Sequence, residues 1–154
     1  MRMTMGAFAI AFAAVSMTAI AAPASDETDV VAVVSHYGDS FNKGDVTAAN
    51  TDCAPQVTII DNFAPYIWQG ATACADWSRA DAADEVRQGI SAGVVSFSKP
   101  WQARVTGDRA YVVEPATYTY LQKGQKMAEP GIWTFTLQKG AAGWRITAWT
   151  WALL

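Results

Sequence analysis

The chain has 154 residues, with 11 basic and 14 acidic side chains for a net charge of −3. That mildly acidic balance, with no run of like charges, argues against nucleic acid or an anionic membrane surface as a partner and leaves a neutral apolar ligand open. The length suits one domain with a real core, and no internal repeat or low-complexity stretch divides it.

At the N-terminus Arg2 is the only early charge, Gly6 to Val15 carry no polar residue, and the small-residue triplets Ala19-Ile20-Ala21 and Ala22-Pro23-Ala24 follow. This is the pattern of a cleavable secretory signal peptide over residues 1–24. Its strictly apolar core is about ten residues, against roughly 20 needed to span a bilayer, so cleavage is favoured over retention as an anchor. No cysteine follows the small-residue run to carry a lipid. The expected product is residues 25–154, exported to a periplasm or the exterior, with no membrane contact after cleavage. Cys53 and Cys74, the two cysteines of the chain, both fall in that part. In an oxidising compartment a disulfide is the default reading, ahead of two buried thiols.

Next, Ser25, Asp26 and Glu27 offer an N-cap and an acidic first turn, and Val30, Val33, Val34, Tyr37 and Phe41 recur at helical spacing before Lys43 and Gly44. Residues 45–50 suit a short second helix. The run Gln56 to Asp61 reads as a buried strand, followed by a loop with Pro65 and a short strand from Tyr66 to Gln69. The stretch from Thr72, a candidate N-cap, to Gly89 reads as a third helix whose apolar face rests on Trp77, the alanines and Val86.

From Gly93 onward, four segments rich in β-branched and aromatic residues cover about 93–105, 109–122, 127–139 and 143–152. Turn signals separate them at Thr106-Gly107-Asp108, Lys123-Gly124-Gln125 and Gly140 to Gly143. They predict an antiparallel meander. Trp133, Phe135 and Leu137 alternate with Thr134 and Thr136. In the last segment Arg145, Thr147, Trp149 and Trp151 alternate with Trp144, Ile146 and Ala148, which predicts large side chains on both faces. Pro100 and Pro115 predict bulges where a long sheet bends. The fold class is α+β: N-terminal helices on a strongly curved, mostly antiparallel sheet, a cone-shaped half-barrel around an internal pocket.

That order of elements resembles the nuclear-transport-factor-like superfamily, which includes SnoaL-like and ketosteroid-isomerase-like proteins. Val33-Val34-Ser35-His36-Tyr37 through Phe41-Asn42-Lys43-Gly44-Asp45 is similar to its first-helix motif, Gln56 to Asp61 to its first strand, and Gly143-Trp144-Arg145-Ile146 to its last. The fold hosts isomerases, dehydratases, cyclases, transport adaptors and binding proteins, so function rests on the site. In its ketosteroid isomerases a first-helix tyrosine stabilises an oxyanion and an aspartate ending the first strand shuttles a proton. The resemblance puts Tyr37 and Asp61 in those places. A carboxylate beside an apolar ligand can take a proton α to a carbonyl while a phenol holds the enolate, and desolvation would raise the carboxylate's pKa toward that task. The isomerases' second, protonated acid on a late strand has no counterpart in Gly131 to Phe135, where Trp133 offers only an indole N–H. The other reading of Asp61 is a polar residue that orients a ligand or fastens the following loop.

Trp68, Trp133, Trp149 and Tyr118 are the candidate pocket aromatics; the competing reading of the tryptophans is a compact core or a dimer interface. Glu114 shares a strand face with Tyr118 and is either a second buried carboxylate or, more simply, a group paired with a base or placed at the rim. His36, the sole histidine, lies opposite the apolar stripe and is expected to be solvated. With one histidine, imidazole-based metal chemistry is out. No phosphate-cradling Gly-rich loop, nucleophile elbow or redox Cys-x-x-Cys motif occurs, so no cofactor is expected. The favoured reading is an exported binder of a small apolar molecule, carbonyl-bearing or not, monomeric or a homodimer. The alternatives are a cofactor-independent isomerase or lyase using Asp61 and Tyr37, and an interaction module using the sheet face.

Overall fold

A computed structural model describes residues 25–154; the signal peptide read over residues 1–24 lies outside them. The first helix, α1 (Ser25–Asn42), carries Asp26 and Glu27 in its first turn, where the helix dipole favours negative charge. Val30, Val34 and Tyr37 form its buried stripe. Asn42 ends it, and Gly44, at φ 66°, makes the left-handed turn that frees Asp45 to cap α2 (Val46–Asp52) by accepting the Ala48 N–H at 2.9 Å.

The strand β1 (Cys53–Ile60) and the short β2 (Ile67–Gly70) form an antiparallel pair. Then comes α3 (Ala73–Gln88), closed by Gly89 in the left-handed region. Thr72 precedes it but makes no capping bond; its hydroxyl donates to Asp76 at 2.6 Å instead. The disulfide Cys53–Cys74 ties the start of β1 to the start of α3.

The remaining strands are β3 (Ile90–Phe97), β4 (Gln102–Thr106), β5 (Arg109–Gln122), β6 (Gln125–Gly140) and β7 (Gly143–Leu153). The sheet runs β2-β1-β7-β6-β5-β3, with β4 also on β5, and every pairing is antiparallel except β1 with β7. The sheet curls around the helices without closing. The single strand read over 93–105 is two strands laid end to end along β5. Pro100 lies in the break, and Ser98 and Trp101 donate to the carbonyls of Pro115 and Val113 across it. Pro115 causes no shift against β6, whose register is continuous. Its missing N–H faces the break, where no partner is required.

The last strand corrects the two-faced expectation. Leu137 pairs with Ile146, but Thr136 pairs with Ala148, so Thr147 is an extra residue. Its hydroxyl satisfies the Thr136 carbonyl at 3.1 Å. One added residue reverses the side-chain alternation. Trp144 and Ile146 before the bulge and Trp149 after it are therefore all buried on the inner face, together with Trp133, Phe135 and Leu137 of β6.

A second irregularity shapes β3. Its register against β5 shifts between Ser91 and Val94, with Ala92 at φ 55°. The side chain of Asn42 covers this stretch as a strand would: its amide donates to the Val95 carbonyl at 2.8 Å and its oxygen accepts the Val95 N–H at 2.7 Å.

Candidate functional site

Between α3, the β1–β2 loop and the inner face of the sheet lies a cavity of about 220 Å³. Its walls are aromatic: Trp77 from α3, Trp133 from β6, Trp149 and Trp151 from β7, and Tyr118 and Tyr120 from β5. Trp77 meets Trp149 edge-on at 4.7 Å between centroids, and Trp133 meets Trp149 at 5.3 Å. Edge-to-face packing of this kind holds the rings at fixed angles rather than letting them collapse into the space. Tyr118 passes directly over Gly93, where any Cβ would come within 2.1 Å of its hydroxyl.

Asp61, one residue past the end of β1, lines the cavity and is 9% exposed. Its Oδ2 accepts the Trp77 indole N–H at 2.8 Å and its Oδ1 accepts the Asn62 N–H at 2.7 Å. Burial pushes its pKa up, those two hydrogen bonds pull it back, and Glu129 adds a smaller upward push. Trp133, Trp149 and Tyr118 line the same cavity.

Tyr37 does not. It is buried in the core, its hydroxyl accepting from Trp149 Nε1 at 3.1 Å, and it lines a neighbouring cavity of about 370 Å³ between the helices and the β3 bulge. Burial pushes its pKa well above the ordinary tyrosine value. Trp68 and Glu114 line neither cavity. Trp68 packs on Phe63, with ring centroids 5.1 Å apart, under the β1–β2 loop.

Glu114 corrects the expectation of a paired or rim carboxylate. It is 2% exposed, sits opposite Trp133 in the β5–β6 ladder, and its Oε2 has no hydrogen-bond partner among the described residues. Burial alone pushes its pKa up to about 7. His36 is exposed but not merely solvated: its Nδ1 lies 2.6 Å from Oδ2 of the buried Asp52. Burial raises the Asp52 pKa, and His36 and Arg145 oppose the rise.

The sequence reading missed the acids of this cavity. Asp81, Asp84 and Glu85 of α3 and Glu129 of β6 line it with Asp61, and none of the lining residues is basic. Glu85 accepts the Tyr118 hydroxyl, and Glu129 accepts the Tyr120 hydroxyl at 2.7 Å. Asp81 has neither a hydrogen bond nor an ion pair among the described residues; burial first, then Glu85, Asp61 and Asp84, push its pKa up to about 7. Two signals were present. The buried stripe of α3, Ala73, Cys74 and Trp77, continues at helical spacing into Asp81, Asp84, Glu85 and Gln88. Glu129 also shares strand parity with Trp133.

A curled sheet wrapped on a helical layer, with an aromatic hollow at their junction, defines a cone-shaped α+β domain built around an internal cavity. The chain belongs to the SnoaL-like domain family, whose model matches residues 30–151. No curated protein matches it. Among solved structures it is similar to an NTF2-like protein with a cystatin-like fold from Novosphingobium aromaticivorans, at TM-score 0.70 and 19% identity over 84% of this chain and 82% of that one. It is similar too to a ketosteroid isomerase-like protein from Erwinia carotovora atroseptica, at TM-score 0.68 and 16% identity over 85% and 98%. A hexachlorocyclohexane dehydrochlorinase also superimposes, at TM-score 0.71 and 6% identity over 84% and 85%. At these identities the likeness is one of fold.

Proposed function

We propose that this protein is an exported binder of a small, flat, largely apolar molecule, held in the 220 Å³ cavity. The observation that carries this reading is the aromatic wall: tryptophans from α3, β6 and β7 converge on one space instead of closing it. Rigid rings around a hollow of this kind favour a planar guest through buried area and stacking. Export draws support from the signal-peptide pattern of residues 1–24 and from the Cys53–Cys74 disulfide, a bond that persists in oxidising compartments.

The test is native mass spectrometry of the protein recovered from its producing cell's exported fraction. The expected result is a chain starting close to residue 25 that carries a small molecule released on denaturation. An empty cavity in that material, with no binding from a panel of planar aromatic compounds, would overturn the binding reading. A full-length N-terminus confined to the cytoplasm would overturn export.

A second reading is proton transfer on the bound molecule by Asp61. It is favoured by the position of that carboxylate on the cavity wall, where burial raises its pKa toward a working base. Tyr37 then acts through Trp149, whose N–H its hydroxyl accepts. Once the ligand is known, Asp61→Asn should abolish its turnover and leave binding in place; undiminished turnover would sink this reading.

A further inference from the structure

Resting on the binding reading above, we infer that the guest is cationic: a protonated or quaternary organic amine on a flat apolar body. The charge of the lining is one-sided. Asp61, Asp81, Asp84, Glu85 and Glu129 face the cavity with no lysine, arginine or histidine among its walls. Tyrosine hydroxyls hold Glu85 and Glu129 in place, but a phenol donates a hydrogen bond without neutralising charge. Asp84 is paired with Arg87, whereas Asp81 has no partner among the described residues. With a neutral guest the crowded carboxylates are relieved only by taking up protons, whereas a cation neutralises them directly and an anion would be repelled.

The aromatic wall points the same way. A cation against tryptophan and tyrosine faces is attracted by the ring quadrupole, and partial desolvation strengthens the attraction. Asp81 and Glu85 line both this cavity and the neighbouring one, as do Phe41 and Trp77. The acid pair therefore stands at the junction, where an ammonium group can meet it while the flat body lies among the tryptophans. A metal ion is the poorer occupant: no three His, Cys, Asp or Glu side chains among the described residues converge on one point to hold one. The carboxylates are spread around the walls, as suits an organic cation with the shape of the hollow.

The experiment uses a matched pair of probes, 1-naphthylmethylammonium and 1-naphthylmethanol, titrated calorimetrically into the full chain as purified from its producing cell. The ring system is shared and only the charge differs. The expected result is that the ammonium binds about tenfold or more tightly than the alcohol at low salt, with the margin shrinking as salt is added. The double variant Asp81→Asn, Glu85→Gln should bring the two affinities together. Equal affinities, or a preference for the alcohol, overturn the cationic assignment while leaving the binding reading intact. Binding of neither probe removes the reading on which this inference rests, and the inference falls with it. Should the double variant fail to fold, the salt dependence of the probe pair on the unmodified chain still decides.

Discussion

Asp81 and Glu114 are two carboxyls that burial pushes up to about 7, one at the cavity wall and one in the core beside Trp133. The unfolded chain releases both protons near pH 4, so between about pH 4 and 7 the folded state holds protons that the unfolded state has lost. Stability is then highest at the acid end of that window and falls as the pH rises through it. Urea unfolding should show a lower free energy at pH 8 than at pH 5. Asp81→Asn and Glu114→Gln should each recover about 1–3 kcal/mol at pH 8 and almost nothing at pH 4. The groups facing Asp81 are Glu85 and Asp84 on its own helix and Asp61 across the cavity, all acidic, so no neighbouring cation reverses the sign. Stability that rises with pH across this range would contradict the account. Which carboxylates are strained in this way is not readable in sequence, because it depends on what faces them across the fold.

At the scale of elements, two devices set the shape of the sheet. Asn42 stands in for a missing strand partner at Val95, making two hydrogen bonds there. Asn42→Ala should cost about 2–3 kcal/mol, since it also leaves a part-buried N–H and C=O unpaired. Asn42→Asp sets a carboxylate oxygen against the Val95 carbonyl at the C-terminal end of α1 and should cost as much or more, and both are measurable by chemical denaturation. Thr147 is the other device. Deleting it would join Ile146 to Ala148, make the register with β6 continuous and keep Trp144, Ile146, Trp149 and Trp151 on the inner face by simple alternation. The expected outcome is retained cooperative unfolding with unshifted tryptophan emission, and a red-shifted emission would contradict this register. Hydrophobic alternation located the strand but could not place its faces, because a bulge adds a residue without any compositional mark. The split of the edge strand at Pro100 had such a mark, and only its consequence, two strands sharing one edge of β5, was missing. Likewise the inward stripe of α3 was legible as far as Trp77; its acidic continuation reads as an ordinary solvated helix face until the sheet curls over it.

For the whole molecule, the disulfide joins residues 21 apart, linking the first strand to the third helix, and so fastens one side of the cone. Replacing Cys53 and Cys74 by alanine should lower stability by about 3 kcal/mol through the freedom returned to the unfolded chain. Reduction of the intact protein should do the same, and an unchanged denaturation midpoint under reductant would show the bond to be energetically idle. A second tie near the same end of the sheet is electrostatic: Lys139, at the end of β6, reaches Asp26 in the first turn of α1 at 2.6 Å and lies over the Trp144 ring at 5.5 Å. The pair is partly exposed and contributes at most about 1 kcal/mol.

The order of the elements apart from the split of the edge strand, the limits of α1, the turns between β4 and β7 and the fold family were all determined by the sequence alone. They depend on local signals: helical and strand periodicity, caps, glycines at turns, and a first-helix motif whose Asn42-Lys43-Gly44-Asp45 exit performs a definite job. Only the tertiary structure decided the register of β7, the solitary burial of Glu114, the separation of Tyr37 from the cavity that Asp61 lines, and the gathering of five carboxylates among eight aromatic residues. Those features arise from contacts between residues as far apart as Asp61 and Glu129, and a carboxylate's energy depends on what stands across the space it faces, which no local pattern records.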